Sequence, residues 1–131
     1  MSPTRKGTRI RLSFSLNGTD HVNILVSPFT GVELVRWSLL EGTPLKNKSK
    51  FRGRDTYFVF YTCASNIQSF HFWIELFVEE ATTGHLVDMG VASHHVHGDK
   101  QLTKPLASFL NKFPSWTVTT GWTAGMKLYT F

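Results

Sequence analysis

The stretch FHFWIELFVEE, residues 70–80, sets Phe70, Phe72, Ile74, Leu76 and Val78 on one side of an extended chain and His71, Trp73, Glu75, Phe77 and Glu79 on the other. Successive side chains of a strand point to opposite faces, so a sustained period of two marks a strand with one buried face. RIRLSFSL (9–16) repeats the pattern, with Ile10, Leu12, Phe14 and Leu16 set against Arg9, Arg11, Ser13 and Ser15.

Working outward, the same vocabulary recurs. NGTD (17–20) supplies a turn, Asn-Gly being the favoured hairpin pair, and HVNILVS (21–27) continues as a strand until SPFTG breaks it. GVELVRWSLLEG (31–42) reads as a third strand with apolar groups on both faces: Val32, Leu34 and Leu40 at even positions, Val35, Trp37 and Leu39 at odd ones. DTYFVFYTC (55–63) is rich in aromatic and β-branched residues; TTGH (82–85) turns the chain, and LVDMGVASHHV (86–96) returns as the next strand. The period then changes. KQLTKPLASFLNKF (100–113) places Leu102, Leu106, Phe109, Leu110 and Phe113 at spacings of three and four, with Pro105 where a first helical turn tolerates it. SWTVTTGW (115–122) and GMKLYTF (125–131) read as closing strands. The pattern predicts a mainly β chain, an antiparallel sandwich of about seven to eight strands with one short α-helix near residues 101–112.

At 131 residues, folding buries roughly two thirds of the surface an unfolded chain exposes, enough for a core without staples. The 11 Phe, 4 Trp and 3 Tyr suit a sheet more than a helical bundle. Cys63, the one cysteine, has no internal disulfide partner and sits in an apolar strand, the setting of an inert thiol. No window approaches the roughly 20 apolar residues of a membrane span, and no apolar stretch suited to a signal peptide follows MSPTRKGTRIR.

Three constellations carry candidate chemistry. SHHVHGD (93–99) crowds three histidines and an aspartate together. On a strand, His95 and His97 share a face and His94 opposes them; Asp99, past Gly98, is a candidate third ligand, with His71 or His85 available from elsewhere. A strand end running into a loop with solvated histidines accounts for the same residues. KNKSKFRGR (46–54) puts Lys46, Lys48, Lys50, Arg52 and Arg54 at alternate positions, one side of an extended chain, and these match the whole net charge of +5. That points to a polyanion or to a solvated loop; nucleic acid is disfavoured because Phe51 alone is there to stack on a base. Asn17-Gly-Thr19 and Asn47-Lys-Ser49 are glycosylation sequons in expected turns and lean toward a lumenal or extracellular compartment. No GxSxG elbow, activated cysteine or phosphate-binding glycine loop stands beside them; Asp88, between Val87 and Met89, is the carboxylate expected to be partly buried.

The run DTYFVFY, then FHFWIELFVEE, the helix PLASFLNKFPSW, TVTTGW and the end at LYTF resemble the carboxy-terminal region of the endoplasmic reticulum metallopeptidases, and RIRLSFSLNGTDHVNILVSP and GVELVRWSL fit the same region. The resemblance implies a lumenal β-sandwich over residues 1–131, the C-terminal piece of a multi-pass membrane glycoprotein with an aminopeptidase-like zinc domain. It implies no catalytic residue and no cofactor in this chain, the zinc belonging to the peptidase domain. The implied partners are that domain and the transmembrane helices, with the membrane close by. Edge strands and Trp73, Trp116 or Trp122 are candidate contact points, although the ordinary fate of tryptophan is burial. Two other readings stand beside it: a stand-alone sugar- or polyanion-binding module, and a metal-dependent enzyme using His95 and His97.

Overall fold

The structure, a computed structural model, describes residues 5–42, 44, 49–63 and 69–131. Among them are strands β1 (Gly7–Leu16), β2 (His21–Pro28), β3 (Val32–Trp37), β4 (Lys50–Phe51), β5 (Arg54–Asp55), β6 (Tyr57–Thr62), β7 (Phe70–Glu79), β8 (Val87–His95) and β9 (Thr123–Thr130), with one helix, α1 (Lys104–Leu110). All pairings are antiparallel. A three-stranded sheet in the order β1-β7-β3 faces a four-stranded sheet in the order β6-β2-β8-β9, and β4-β5 form a separate small hairpin. This is the expected sandwich with one short helix.

The alternation in β7 does what its pattern promised: Phe72, Ile74 and Leu76 are buried. They meet Val22, Ile24 and Val26 of β2, Tyr57 and Val59 of β6, and Val87, Met89 and Val91 of β8 in one core cluster. Ile24, Ile74 and Leu76 are fully inaccessible, each contributing about 1.5–3 kcal/mol of transfer free energy. The apolar groups on both parities of 31–42 have a local cause. A bulge between Leu34 and Arg36 shifts the register, so that Leu34 and Trp37 both turn inward. The strand stops at Trp37, short of Gly42, and gives way to a turn in which Leu40 and Glu41 take φ of 42° and 59°.

Three expectations are corrected. NGTD does not close a hairpin, because β1 pairs with β7 and β2 with β6 and β8; residues 17–20 carry the chain from one sheet to the other. Alternation fixes which face is buried, and facing across a core satisfies it as well as pairing does. Residues 115–122 form no strand: Thr117 N–H closes a turn onto Pro114 O at 3.0 Å, and the strand that pairs with β8 is β9. The helix is shorter than its periodic stretch. Thr103 caps it, Oγ1 accepting from Leu106 N–H at 3.3 Å, and Asn111 ends it.

Candidate docking face and histidine cluster

The outer faces of the two sheets differ in chemistry. On the three-stranded sheet, Glu75 accepts from Arg9 at 3.2 Å and from Arg11 at 3.3 Å, and the Arg11 guanidinium lies 4.1 Å from the Trp73 ring centre. Arg5 pairs with Glu33 beyond them. This is a charged ladder suited to water.

The four-stranded sheet presents apolar rows instead. Register places Phe58, Leu25, Gly90 and Leu128 side by side, and Phe60, Asn23, Ala92 and Met126 in the next row. Phe58, Phe60, Leu128 and Met126 remain 45, 54, 46 and 63% exposed. A Cβ on Gly90 would lie 3.2 Å from Met126 Cε and 3.4 Å from Leu25 Cδ1, so those two side chains close over the glycine and make the stripe continuous.

The β8–β9 connection adds to this surface. Its neck is tied where Gln101 O accepts from Thr123 N–H at 2.9 Å and Gln101 Nε2 donates to Gly121 O at 3.2 Å. Leu110 packs against Gly121, where an added Cβ would come within 3.3 Å of Cδ1. Beyond the neck, α1 has no buried residue, and Phe109, Phe113, Trp116, Val118 and Trp122 are exposed. The tryptophan the core takes is Trp37; Trp116 is 82% exposed and Trp73 half-buried on the charged face.

The third row of this face is polar at Thr62, His21 and His94 and ends on Ala124. Trp122 Nε1 donates to His94 Nδ1 at 3.1 Å, which leaves the His94 proton on Nε2, 3.0 Å from the Asn23 amide. The amide atom placed there is Nδ2, so both imidazole nitrogens of His94 face a polar neighbour. His95 points to the opposite face, on a groove of about 520 Å³ shared with Asn17, Lys100 and Tyr129. His97 lies past the strand end and approaches Asp20 and His21. Asp20 Oδ1 is 3.2 Å from His21 Nδ1, Asp20 Oδ2 is 3.9 Å from His97 Nε2, and the two imidazoles meet edge to face at 5.9 Å. The His21 imidazole beside it holds the Asp20 carboxyl below the usual carboxylate range.

The histidine-rich run thus disperses three ways, and the one group of His, Asp, Glu or Cys side chains among the described residues with a spacing that could hold a metal draws His97 but neither His95 nor Asp99. Sequence reasoning passed over Asp20 and His21. Their signal was an adjacent Asp-His at a strand start; what was missing was the β2–β8 register, which pairs His21 with His94 and so sets His97 before them.

The basic run does not stay extended. Residues 50–55 form a hairpin with Arg52 and Gly53 left-handed at its tip, at φ of 50° and 77°. Lys50 bonds to Asp55, and Arg54 turns inward to bond Asp88 while stacking 3.9 Å from the Phe29 ring centre. The tight turn and these carboxylates break the single-sided stripe; Lys46 and Lys48 lie outside the described residues. Asp88 is buried, as its setting suggested, and Thr130 Oγ1 donates to it at 2.6 Å. Burial pushes its carboxyl upward, but the Thr130 hydrogen bond and the Arg54 guanidinium prevail and hold it below the usual range. Asn17 is exposed, while Asn47 lies outside the described residues. Among the described residues no helix is long and apolar enough to cross a membrane.

Residues 2–129 match the family model described as "Endoplasmic reticulum metallopeptidase 1, C-terminal domain". The chain is 34% identical over 122 residues to human endoplasmic reticulum metallopeptidase 1, and 32% identical to the mouse and rat proteins of that name. Each alignment covers 93% of this chain and 13% of the relative, so the chain spans about an eighth of the length of the curated relatives it matches. No solved structure gives a significant match.

Proposed function

Because the chain belongs to the family of C-terminal domains of endoplasmic reticulum metallopeptidase 1, we propose that it is the accessory, non-catalytic β-sandwich of a membrane-bound, aminopeptidase-type zinc metallopeptidase. In this reading residues 1–131 form one C-terminal domain on the lumenal side of the endoplasmic reticulum, and catalytic zinc is held elsewhere in the parent. The domain works by docking the outer face of its four-stranded sheet, with the β8–β9 connection, onto the rest of that polypeptide.

The observation that supports docking is the uncovered apolar surface on one sheet beside a charged ladder on the other. Phe58, Phe60, Phe109, Phe113, Trp116 and Trp122 are each between 45 and 82% exposed. At 150–250 Å² per aromatic side chain, their exposed parts amount to about 650 Å², approaching the ~800 Å² that one partner contributes to a standard interface. Scattered apolar residues are ordinary on a surface; rows set by strand register, in a chain that also carries a helix without a buried residue, are an interaction face. The relatives supply the occupant, since most of their length lies outside the matched segment.

The test replaces Phe58, Phe60 and Trp116 with Ser in the intact parent and in the 131-residue chain. The isolated chain is expected to keep its melting temperature, because none of the three contributes to the core, while the parent loses peptidase activity or thermal resistance. A parent unchanged in both properties would remove the docking face from the account.

A further inference from the structure

At the polar end of the docking face, Asp20, His21 and His97 bring one carboxylate and two imidazoles together, with one ligand atom from each within 4.8 Å of the others. Three features set this group apart from a chance surface cluster. The Nδ1 atom of His21 is buried and faces Asp20 Oδ1 at 3.2 Å. Asp20 is held from both sides of its backbone: its carbonyl accepts from Cys63 N–H at 2.9 Å, and Thr19 Oγ1 bonds the His21 carbonyl at 2.8 Å. His97, by contrast, is exposed and sits on the connection that leaves β8, free to close by a side-chain rotation.

We propose that Asp20, His21 and His97 form a divalent-cation site, best matched to Zn²⁺, that ties the start of the β8–β9 connection to the start of β2. Imidazole nitrogen and carboxylate oxygen are zinc's usual partners alongside thiolate, and three protein ligands leave a fourth position for water. Ligand atoms on one tetrahedral zinc, at about 2.0–2.2 Å from it, are about 3.3–3.6 Å from one another. The 3.2 Å from Asp20 Oδ1 to His21 Nδ1 already fits, and His97 Nε2, 3.9 Å from the other carboxylate oxygen, must close in to share the ion. His94 is spoken for by Trp122 and Asn23, and His95 points to the other face, so neither competes for the ion. The bound ion would act as a clasp: it crosslinks residue 97 to residues 20–21 and so orients the connection carrying Phe109, Phe113 and Trp116 beside the sheet face.

The experiment titrates the 131-residue chain with zinc by calorimetry and with Co²⁺ by visible absorption, alongside His97→Ala, Asp20→Ala and His95→Ala. The expected result is one zinc per chain, a tetrahedral Co²⁺ spectrum, and slower amide exchange at 96–98 on loading. His97→Ala and Asp20→Ala should each weaken binding by at least about ten-fold, the loss typical when even an outer-shell partner of a metal is removed. His95→Ala should leave it unchanged. His97 is an exposed loop residue, so its replacement does not threaten folding. No saturable zinc binding by the unaltered chain, or binding indifferent to His97→Ala, overturns the proposal, as does weakening by His95→Ala alone.

Discussion

Replacing Arg54 by Ala should cost about 2–4 kcal/mol at neutral pH, out of a total stability of roughly 7–20 kcal/mol for a chain this long. The magnitude follows from what the guanidinium does. It donates to Asp88, whose side chain is only 4% exposed, reaches Ser27 O at 3.4 Å, and covers the Phe29 ring. Removing one member of a buried pair costs about 3–5 kcal/mol because the other charge is left in low dielectric. Two features lower the figure: Arg54 is itself 14% exposed, and Asp88 keeps its hydrogen bond from Thr130.

The sign of the pH dependence is fixed by the lowered carboxyl of Asp88. Its stabilisation is present above the unfolded value of 3.8 and is lost as pH falls through the lower folded value, where the carboxylate takes up a proton in both states. Urea denaturation of the unaltered chain, Arg54→Ala, Lys50→Ala and Asp88→Asn, at pH 7 and at pH values descending below 3.8, measures this directly. Lys50→Ala breaks only an exposed pair with Asp55 and should cost no more than about 0.5 kcal/mol. The Arg54→Ala deficit should shrink as pH falls, and Asp88→Asn should show the weaker acid sensitivity. An Arg54→Ala deficit as small as that of Lys50→Ala, or one indifferent to pH, would refute the reasoning.

Trp37 offers a second case: its ring is buried against Tyr57 at 6.1 Å, yet Nε1 has no hydrogen-bond partner among the described residues. Trp37→Ala should cost about 3–5 kcal/mol by chemical denaturation, whereas Trp37→Phe, which discards the unpaired N–H with the lost volume, should cost less than half as much. Asn17 should carry sugar when the parent is made in cells with a glycosylating lumen. A glycosidase-sensitive mobility shift abolished by Asn17→Gln checks this, and no shift would count against lumenal exposure of the β1–β2 connection.

Much of the fold was legible where local pattern and burial coincide. The alternation of 9–16 and 70–79 names the inward side chains of β1 and β7, half-buried along β1 and buried at Phe72, Ile74 and Leu76, and the three-and-four spacing with Pro105 places α1. What alternation does not carry is neighbourhood. Asn17-Gly18 had the composition of a hairpin, and only the competition among strands for partners assigns β1 to β7. Residues 115–122 had strand composition and pair with no strand edge, closing a turn onto Pro114 instead. The bulge in β3, which turns Leu34 and Trp37 to the same side, rests on packing.

The site was less legible for the same reason. A run such as SHHVHGD looks like one site because its letters are adjacent, but a strand sends His94 and His95 to opposite faces, and the strand's end releases His97. The partners of His97 lie across the sheet, at Asp20 and His21. Charge shows the same limit: Arg54 belongs by spacing to a basic stripe and by structure to the buried carboxylate of Asp88. Exposed aromatics were the hardest to foresee, since composition cannot distinguish the buried Trp37 from the uncovered Trp116.

The most direct test of the account compares amide hydrogen exchange of the 131-residue chain with that of the same residues in the intact parent. Residues 56–62, 104–122 and 123–130 should gain protection in the parent, while the β1 and β7 face carrying Arg9, Arg11 and Glu75 exchanges alike in both. Equal exchange along the apolar face in the two forms, or protection confined to the charged face, would contradict the claim that this surface docks on the rest of the polypeptide.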